Sequence, residues 1–233
     1  MGRYSSDIRS QKVKSMKVRQ RIRSILPVVA YNWLFSTYVE YKKIRYRVMG
    51  RVGVQGETTK ARSRRLREGF FDRYCLGKGL DIGYGGDLLA ANCIGYDFEH
   101  GDASNIKRYK DESFDYVYSS HTLEHLARPA EALGNWWRLV KRGGYLIIYV
   151  PHRDLYEKKA DLPSQWNPDH KHIFVLDQDE PPHATGLLAL IARSLSDFEV
   201  LYAKECAEGH TITDPSVHSD GEYSIEVVVR KKK

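Results

Sequence analysis

The chain has 233 residues, is 42% hydrophobic and 12% aromatic, and carries a net charge of +7. This length and composition favour a globular protein with one α/β domain of ordinary size and an appendage. Its three cysteines, Cys75, Cys93 and Cys206, form no C-x-x-C pair and are odd in number, which excludes a disulfide framework and a zinc ribbon. A reducing, cytoplasmic location fits these unpaired cysteines.

The positive charge is concentrated at the N-terminal end. Residues 1–75 contain 19 Lys/Arg against 5 Asp/Glu, a net +14, whereas the remainder is net −7. Residues 9–25 place apolar side chains near helical spacing among basic ones, and residues 27–39 form an uncharged, aromatic-rich stretch. The uncharged run 24–39 is shorter than the ~20 residues that cross a bilayer, and no secretory cleavage site follows it. We expect a basic helical extension.

Three interpretations of this extension remain open. It can lie on the inner face of an anionic membrane as a peripheral contact, or hold an anionic, lipid-linked substrate. Its apolar residues can instead cover the core of the domain or a homodimer partner, with the charges in solvent. Nucleic acid binding is disfavoured because the sequence contains no RNA-binding motif.

A glycine-rich turn follows the first predicted strand. Residues 60–74 predict a helix with Leu66, Phe70, Phe71 and Tyr74 facing inward, and residues 80–82 predict a buried strand that contains Asp81. The strand runs into the sequence Gly83-Tyr84-Gly85-Gly86. Glycine permits positive φ and has no Cβ, so a nucleotide-like ligand can approach the main-chain N–H groups there.

The second predicted strand, residues 93–96, ends at Asp97. A carboxylate in this place can accept both hydroxyls of a ribose. The remaining pattern predicts strands at 114–119, 145–150, 198–206 and 224–230 and helices at 129–139 and 184–194. The long polar loop 151–172 follows the end of a strand, where open α/β sheets place their ligands.

These motifs resemble the class I S-adenosylmethionine (SAM) dependent methyltransferases, in particular the type 11-like small-molecule and glycan group. The resemblance lies in Asp81-Ile-Gly83-Tyr-Gly85, in the run from Phe114 through SSHTLEHL, and in VKRGGYLII, and it covers residues 77–152. It implies an α/β fold with a seven-stranded, Rossmann-like sheet over residues 60–233. The basic helical extension is then residues 1–59.

The resemblance also implies which residues bind SAM. Asp97 is expected at the ribose, Asp102 at the adenine amino group, and Tyr84 and Phe98 against the adenine or the sulfonium. The complete predicted set is Asp81, Gly83, Tyr84, Gly85, Gly86, Asp97, Phe98, Asp102, Ala103, Ser119 and His121. The stretch from Gly86 to Asp97 has room for only about one helical turn, which is typical of a subgroup associated with glycan biosynthesis.

Methyl transfer to a hydroxyl requires a base near the methyl group. His125, His152 and His170 are the candidate bases, and Glu124 is a candidate catalytic carboxylate. We rank His170, with Asp169 beside it, and His125, with Glu124 beside it, above His152. A neighbouring carboxylate raises the basicity of an imidazole if it faces the ring.

His121-Thr-Leu-Glu124-His125 also spells H-x-x-E-H, which on a helix would place the three polar side chains on one face and permit metal binding. The preceding strand argues against a zinc peptidase, and some quinone O-methyltransferases of this fold bind a divalent metal with a similar motif. A metal is therefore an alternative that the sequence does not favour.

The leading functional hypothesis is O-methylation of a sugar hydroxyl in a glycan or glycolipid precursor. The alternatives are a metal-assisted O-methyltransferase of a phenol or quinone and a non-catalytic SAM-binding scaffold. The polar, His-rich and Trp-containing loops favour the hydroxylated acceptor.

Overall fold

The computed structural model describes residues 56–233, together with the helical residues Ala30, Leu34, Thr37 and Tyr41. The predictions for 9–25 and for most of 27–39 lie outside the described residues. Residues 56–233 belong to one compact unit, Arg51–Lys233, and the boundary between residues 59 and 60 stays a prediction. No helix in the described part of the chain has both the length and the apolar character needed to cross a membrane.

Residues 56–233 contain eight strands and five α-helices. The strands are β1 Gly79–Ile82, β2 Cys93–Tyr96, β3 Phe114–Ser120, β4 Val140–Pro151, β5 Phe174–Val175, β6 Thr185–Gly186, β7 Phe198–Cys206 and β8 Ser224–Lys231. The helices are α1 Glu57–Lys60, α2 Arg62–Arg67, α3 Phe70–Tyr74, α4 Pro129–Leu139 and α5 Leu187–Ser194. A 3₁₀ turn spans Leu123–His125, and a π-helical turn spans Arg153–Glu157.

The main sheet has six strands in the order β2-β1-β3-β4-β8-β7, and β5 pairs with β6 in a separate two-stranded sheet. Strands β2, β1, β3 and β4 are parallel, while β8 is antiparallel to both β4 and β7. The predicted α/β, Rossmann-like fold is confirmed. The main sheet has six strands rather than seven in the described residues, because residues 97–113 form turns and no strand.

The sheet is covered on both faces, as its alternating side chains require. Along β3, Phe114 and Val117 belong to one core cluster, which includes Trp136 of α4 and Ile191 of α5. Tyr116 and Tyr118 belong to the other, with Phe70 and Tyr74 of α3. Because four parallel strands end at the same edge of this two-sided sheet, that edge is where loops can form a site.

The helix predicted over 60–74 is wrong in two respects. It is interrupted at Gly69, whose φ of +62° is left-handed, and Leu66, predicted to face inward, is 59% exposed. The buried side chains of α2 are Arg64 and Arg65. They turn inward because Glu222 and Glu226 supply buried carboxylates at 2.6–2.9 Å, and charges so paired can be buried.

Candidate functional site

The glycine turn lies at the carboxyl ends of β1 and β2. Gly83, Gly85 and Gly86 all have positive φ, at +73°, +60° and +91°. The Gly83 N–H donates to Tyr96 O at 2.7 Å. A Cβ atom added to Gly83 would lie 1.9 Å from Thr122 Oγ1, so only glycine fits where the turn meets the end of β3.

Asp97 lies beside this turn. Its Oδ2 accepts the Gly85 N–H at 3.0 Å, and its Oδ1 accepts the Phe98 N–H at 2.8 Å. The Asp97 N–H donates to His100 Nδ1 at 3.1 Å, which holds the end of β2. The structure thus brings the predicted ribose carboxylate onto the predicted glycine turn, and SAM fits these residues.

Asp81 lies beneath the turn and is fully buried. Its Oδ2 accepts the Leu89 N–H at 2.8 Å, whereas its Oδ1 has no hydrogen-bond partner within the described chain. Burial raises the pKa of Asp81 to about 8. The side chain therefore holds the segment that follows the turn, and its contact with the cofactor stays a prediction.

The other predicted SAM residues surround the turn. The Tyr84 ring covers Gly95, where an added Cβ would lie 2.8 Å from it, and Ser119 Oγ donates to Ile82 O at 3.2 Å. Asp102 is exposed and accepts bonds from Ser104 N and Oγ, each at 2.8 Å. The carbonyl of Ala103 accepts the Trp136 indole N–H at 2.7 Å. The adenine contact of Asp102 stays a prediction.

Three histidines approach a single buried carboxylate. The Glu124 side chain is 0% exposed, and its Oε1 lies 3.7 Å from His125 Nε2, 3.9 Å from His170 Nε2 and 3.8 Å from His121 Nδ1. Neither oxygen of Glu124 has a hydrogen-bond partner among residues 56–233. The two candidate bases that we ranked highest are therefore brought together on Glu124.

Carboxylates hold the other side of both rings. His125 Nδ1 lies 3.0 Å from Asp169 Oδ2, and His170 Nδ1 lies 2.9 Å from Glu157 Oε1. Asp169, which precedes His170 in the sequence, faces His125 and not the His170 ring. The chain turns between residues 167 and 170, which sends Asp169 to His125, while the π-helical turn brings Glu157 to His170. Burial opposes protonation of His125, but Asp169 and Glu124 raise its pKa.

His152 is engaged elsewhere. Its Nδ1 accepts the Asp154 N–H at 3.1 Å, and its Nε2 lies 3.3 Å from Glu205 Oε1 on β7. The ring is buried, and burial lowers its pKa. These contacts hold the His152 ring at the end of β4, and they do not bring it to the Glu124 carboxylate.

The helical face expected for H-x-x-E-H does not form. Only Leu123–His125 is helical, as a single 3₁₀ turn, and His121 before it has a left-handed φ of +46°. His121 Nε2 lies 2.8 Å from Ser224 Oγ, and burial lowers the pKa of this ring. The third group beside Glu124 and His125 comes from the loop after β4, as His170.

Aromatic residues from three loops adjoin the histidines. The Tyr156 ring centroid lies 5.4 Å from those of His170 and His218 and 5.0 Å from that of Tyr223. Trp166 packs on His218 at 5.3 Å, and its buried indole N–H has no partner within the described chain. This wall was not predicted, because loops distant in sequence form it and the sequence indicated only that the acceptor loops contain Trp.

Helix α1 contacts the aromatic wall through the Tyr223 hydroxyl. Glu57 of α1 accepts the Tyr223 hydroxyl at 2.7 Å, and Lys60 donates to that hydroxyl at 2.8 Å. Burial and the nearby Glu57 raise the pKa of Tyr223 well above its ordinary value. Tyr223 thus stays a neutral, fixed part of the wall.

Comparisons with known proteins agree with this geometry. Residues 80–148 match the family described as methyltransferase domain. A probable SAM-dependent methyltransferase of Mycolicibacterium smegmatis is 27% identical, over 42% of this chain and 45% of that protein. The match thus spans less than half the length of this curated relative.

Solved structures with a similar fold include two archaeal SAM-dependent methyltransferases. The protein from Archaeoglobus fulgidus is 21% identical, with 82% of this chain and 99% of that chain covered and a TM-score of 0.47. The protein from Methanosarcina mazei is 16% identical, with 70% and 97% covered and a TM-score of 0.46. The family match runs from β1 into β4 and includes the glycine turn and Asp97. This part of the chain is similar to a methyltransferase domain, and SAM is the cofactor that the similarity implies.

Proposed function

We propose that this protein transfers the methyl group of SAM to a sugar hydroxyl of a glycan or glycolipid precursor. One observation carries the proposal: residues 121–125 connect the glycine turn to the cluster of Glu124, His125 and His170. Thr122 Oγ1 donates to Ile82 O and Ser120 O at 3.3 and 3.1 Å and lies against Gly83. Two residues later, Glu124 lies between His125 and His170.

The protein has two tasks in such a reaction. Methyl transfer from a sulfonium is an in-line displacement, so the protein must first position the acceptor. It must then remove the proton of the hydroxyl. With Nδ1 of His125 and His170 donating to Asp169 and Glu157, each Nε2 carries a lone pair. The group formed by Glu124, His125 and His170 is therefore suited to deprotonate the acceptor.

The aromatic wall favours a sugar as that acceptor. Tyr156, Trp166 and Tyr223 place aromatic rings beside the histidines, and the buried Trp166 N–H is a donor that a hydroxylated ligand can satisfy. Buried donors in proteins are normally paired. A sugar supplies hydroxyl acceptors together with apolar C–H faces, which matches a wall of this mixed character.

The basic extension supports a membrane-proximal, anionic acceptor. Residues 1–59 contain 13 Lys/Arg against 3 Asp/Glu, and this net charge of +10 gives a physical reason for attraction to anionic lipid. We propose that it localises the enzyme. Removal of residues 1–26 is expected to abolish salt-sensitive binding to phosphatidylserine vesicles while turnover of a soluble acceptor continues. Unchanged vesicle binding would contradict this role.

The function is tested by offering acceptors of different chemistry. The full chain is incubated with methyl-labelled SAM and with nucleotide sugars, lipid-linked sugars, catechols or quinols. Products are followed by mass spectrometry and by release of S-adenosylhomocysteine. We expect methylation of a sugar. Methylation of the phenols alone would identify the phenol-type alternative, and SAM binding without turnover of any acceptor would favour the scaffold.

A further inference from the structure

We propose that Glu124, His125 and His170 form a binding site for one divalent transition-metal ion of the zinc class. The ligand atoms are one carboxylate oxygen and the two Nε2 atoms. All three lie within 4.8 Å of one another.

The distances are close to those of a bound ion. Two ligands at ~2.0–2.1 Å from a tetrahedral zinc lie roughly 3.3 Å apart. Glu124 Oε1 lies 3.7 Å from His125 Nε2 and 3.9 Å from His170 Nε2. These separations exceed hydrogen-bonding length, so the groups do not satisfy one another directly. A shift of a few tenths of an ångström in each side chain would close them around an ion.

Glu124 is the second, independent indication. Its side chain is 0% exposed, and both of its oxygens lack a hydrogen-bond partner within residues 56–233. A buried carboxylate without partners is costly, and in native proteins such a group is paired or coordinates a metal. Within residues 56–233, the basic groups that lie within 4 Å of the Glu124 carboxylate are imidazoles. The Nε2 lone pairs of His125 and His170 can bind a metal as the carboxylate does.

The outer partners are those of a metal site. A metal-bound histidine typically donates its second N–H to a carboxylate, which fixes the tautomer and the orientation of the ring. Asp169 does this for His125 at 3.0 Å, and Glu157 does it for the buried His170 at 2.9 Å. Both rings are therefore oriented with Nε2 towards Glu124.

The donor set selects the class of ion. Two imidazoles and one carboxylate suit zinc and neighbouring first-row ions, whereas magnesium and calcium prefer oxygen ligands. Three protein ligands leave at least one position for water or substrate. We assign that position to the acceptor hydroxyl, whose pKa the ion would lower so that its proton is released to solvent. With the ion bound, the Nε2 atoms of His125 and His170 would be its ligands and would not act as the base. This role rests on the proposed methyl transfer, but binding of the ion does not.

The first experiment measures metal binding without SAM or acceptor. The full chain is stripped with a chelator and titrated with Zn²⁺ by calorimetry, and Co²⁺ is used as a visible-absorption probe of the coordination. We expect one ion per chain, loss of binding in Glu124→Gln and His170→Ala, and a spectrum that Zn²⁺ abolishes. Glu124→Gln removes no hydrogen bond of the side chain, so its circular dichroism and melting curve report whether it folds.

Two further variants separate this site from general histidine binding. His183→Ala is the matched control, because His183 pairs with Asp161 on the surface but has no third ligand. It should bind Zn²⁺ like the wild type. Glu157→Gln removes the carboxylate that supports His170 while an amide oxygen can still accept the Gln165 N–H. It should weaken binding by roughly 10- to 100-fold.

The site also predicts a change in melting temperature. An ion that binds only the folded state raises Tm with its concentration, so Zn²⁺ should raise Tm in the wild type and in His183→Ala but not in Glu124→Gln. The proposal is overturned if the wild type binds no Zn²⁺ or if Glu124→Gln binds it equally well. Because no methyl transfer is measured, failure of the proposed function would leave this result unaffected.

Discussion

Two fully buried glutamates of this protein have opposite surroundings. Glu226 on β8 lies 2.7 Å from Arg64 Nη2 and 2.6 Å from Arg65 Nη2. The Glu124 carboxylate has no hydrogen-bond partner in the described chain, and the basic groups that approach it there are imidazoles, at 3.7–3.9 Å. Since a buried charge must be compensated, Glu226 is compensated by the fold itself, whereas Glu124 is placed for something that binds.

We expect the largest effect from a substitution that breaks the buried ion pairs of Arg64 and Arg65. Glu226→Gln leaves Arg64 and Arg65 buried with one carboxylate fewer, which should lower the free energy of unfolding by about 3–5 kcal/mol. Urea denaturation measures the loss. Glu208→Gln is the control, because Glu208 pairs with Arg67 where the two side chains are 44% and 59% exposed, and exposed pairs contribute about 0–1 kcal/mol. Equal losses in the two variants would show that burial does not decide the effect.

The second prediction concerns the carboxylate assigned to the cofactor. Asp97→Ala removes the group that lies on the glycine turn, and SAM binding should weaken by about 1.5–3 kcal/mol, the range for hydrogen bonds to a charged group. Calorimetry with SAM measures the change. Asp102→Ala, at an exposed residue that bonds Ser104, should cost less. Unchanged affinity in Asp97→Ala would show that the end of β2 does not bind the ribose.

The half of the site near Asp97 could be predicted because its pattern is local. A short apolar strand, a glycine turn and an acid after the next strand follow one another within residues 80–97. The structure pairs these strands in parallel and places the Asp97 carboxylate 3.0 Å from Gly85 N. Periodicity and turn chemistry act over such distances, so neither required knowledge of the tertiary packing.

The half of the site around His125 and His170 depends on contacts between residues that are distant in the sequence. Glu157 was not considered for His170, and the turn that directs Asp169 to His125 cannot be read from composition. The predicted helix placed Leu66 inward, yet it is Arg65 that is buried, against Glu226, which is 161 residues away. Long-range charge compensation overrode the helical pattern in both regions.

The Asp81 carboxylate is better compensated than that of Glu124 and less well compensated than that of Glu226. Its surroundings predict that the free energy of unfolding depends on pH. One oxygen accepts the Leu89 N–H and the other has no partner among the described residues. Burial raises its pKa from 3.8 to about 8. The folded state therefore retains a proton that the unfolded chain releases, so the stability from this group is present in acid and is lost as pH rises from about 4 to about 8.

Asp81→Asn should remove this dependence. The amide oxygen can still accept the Leu89 N–H, and no charge is buried, so we expect the variant to be more stable than the wild type at pH 8 by roughly 1–3 kcal/mol. The difference should shrink towards pH 5. Urea denaturation across this range measures it, with Asp111→Asn, at an exposed carboxylate, as the control. Parallel curves for Asp81→Asn and the wild type would show that Asp81 is ionised in the folded protein.

We expect the smallest effect on stability from a substitution of Glu124. In the metal-stripped protein, Glu124→Gln should change the free energy of unfolding by about 1 kcal/mol or less, because no hydrogen bond of the side chain is lost and a buried charge is removed. The same chemical change at Glu226 should cost several times more. Urea denaturation in the presence of a chelator compares the two directly. A loss at Glu124 as large as that at Glu226 would mean that the histidines already compensate its charge in the absence of metal, and the carboxylate would then belong to the fold as Glu226 does.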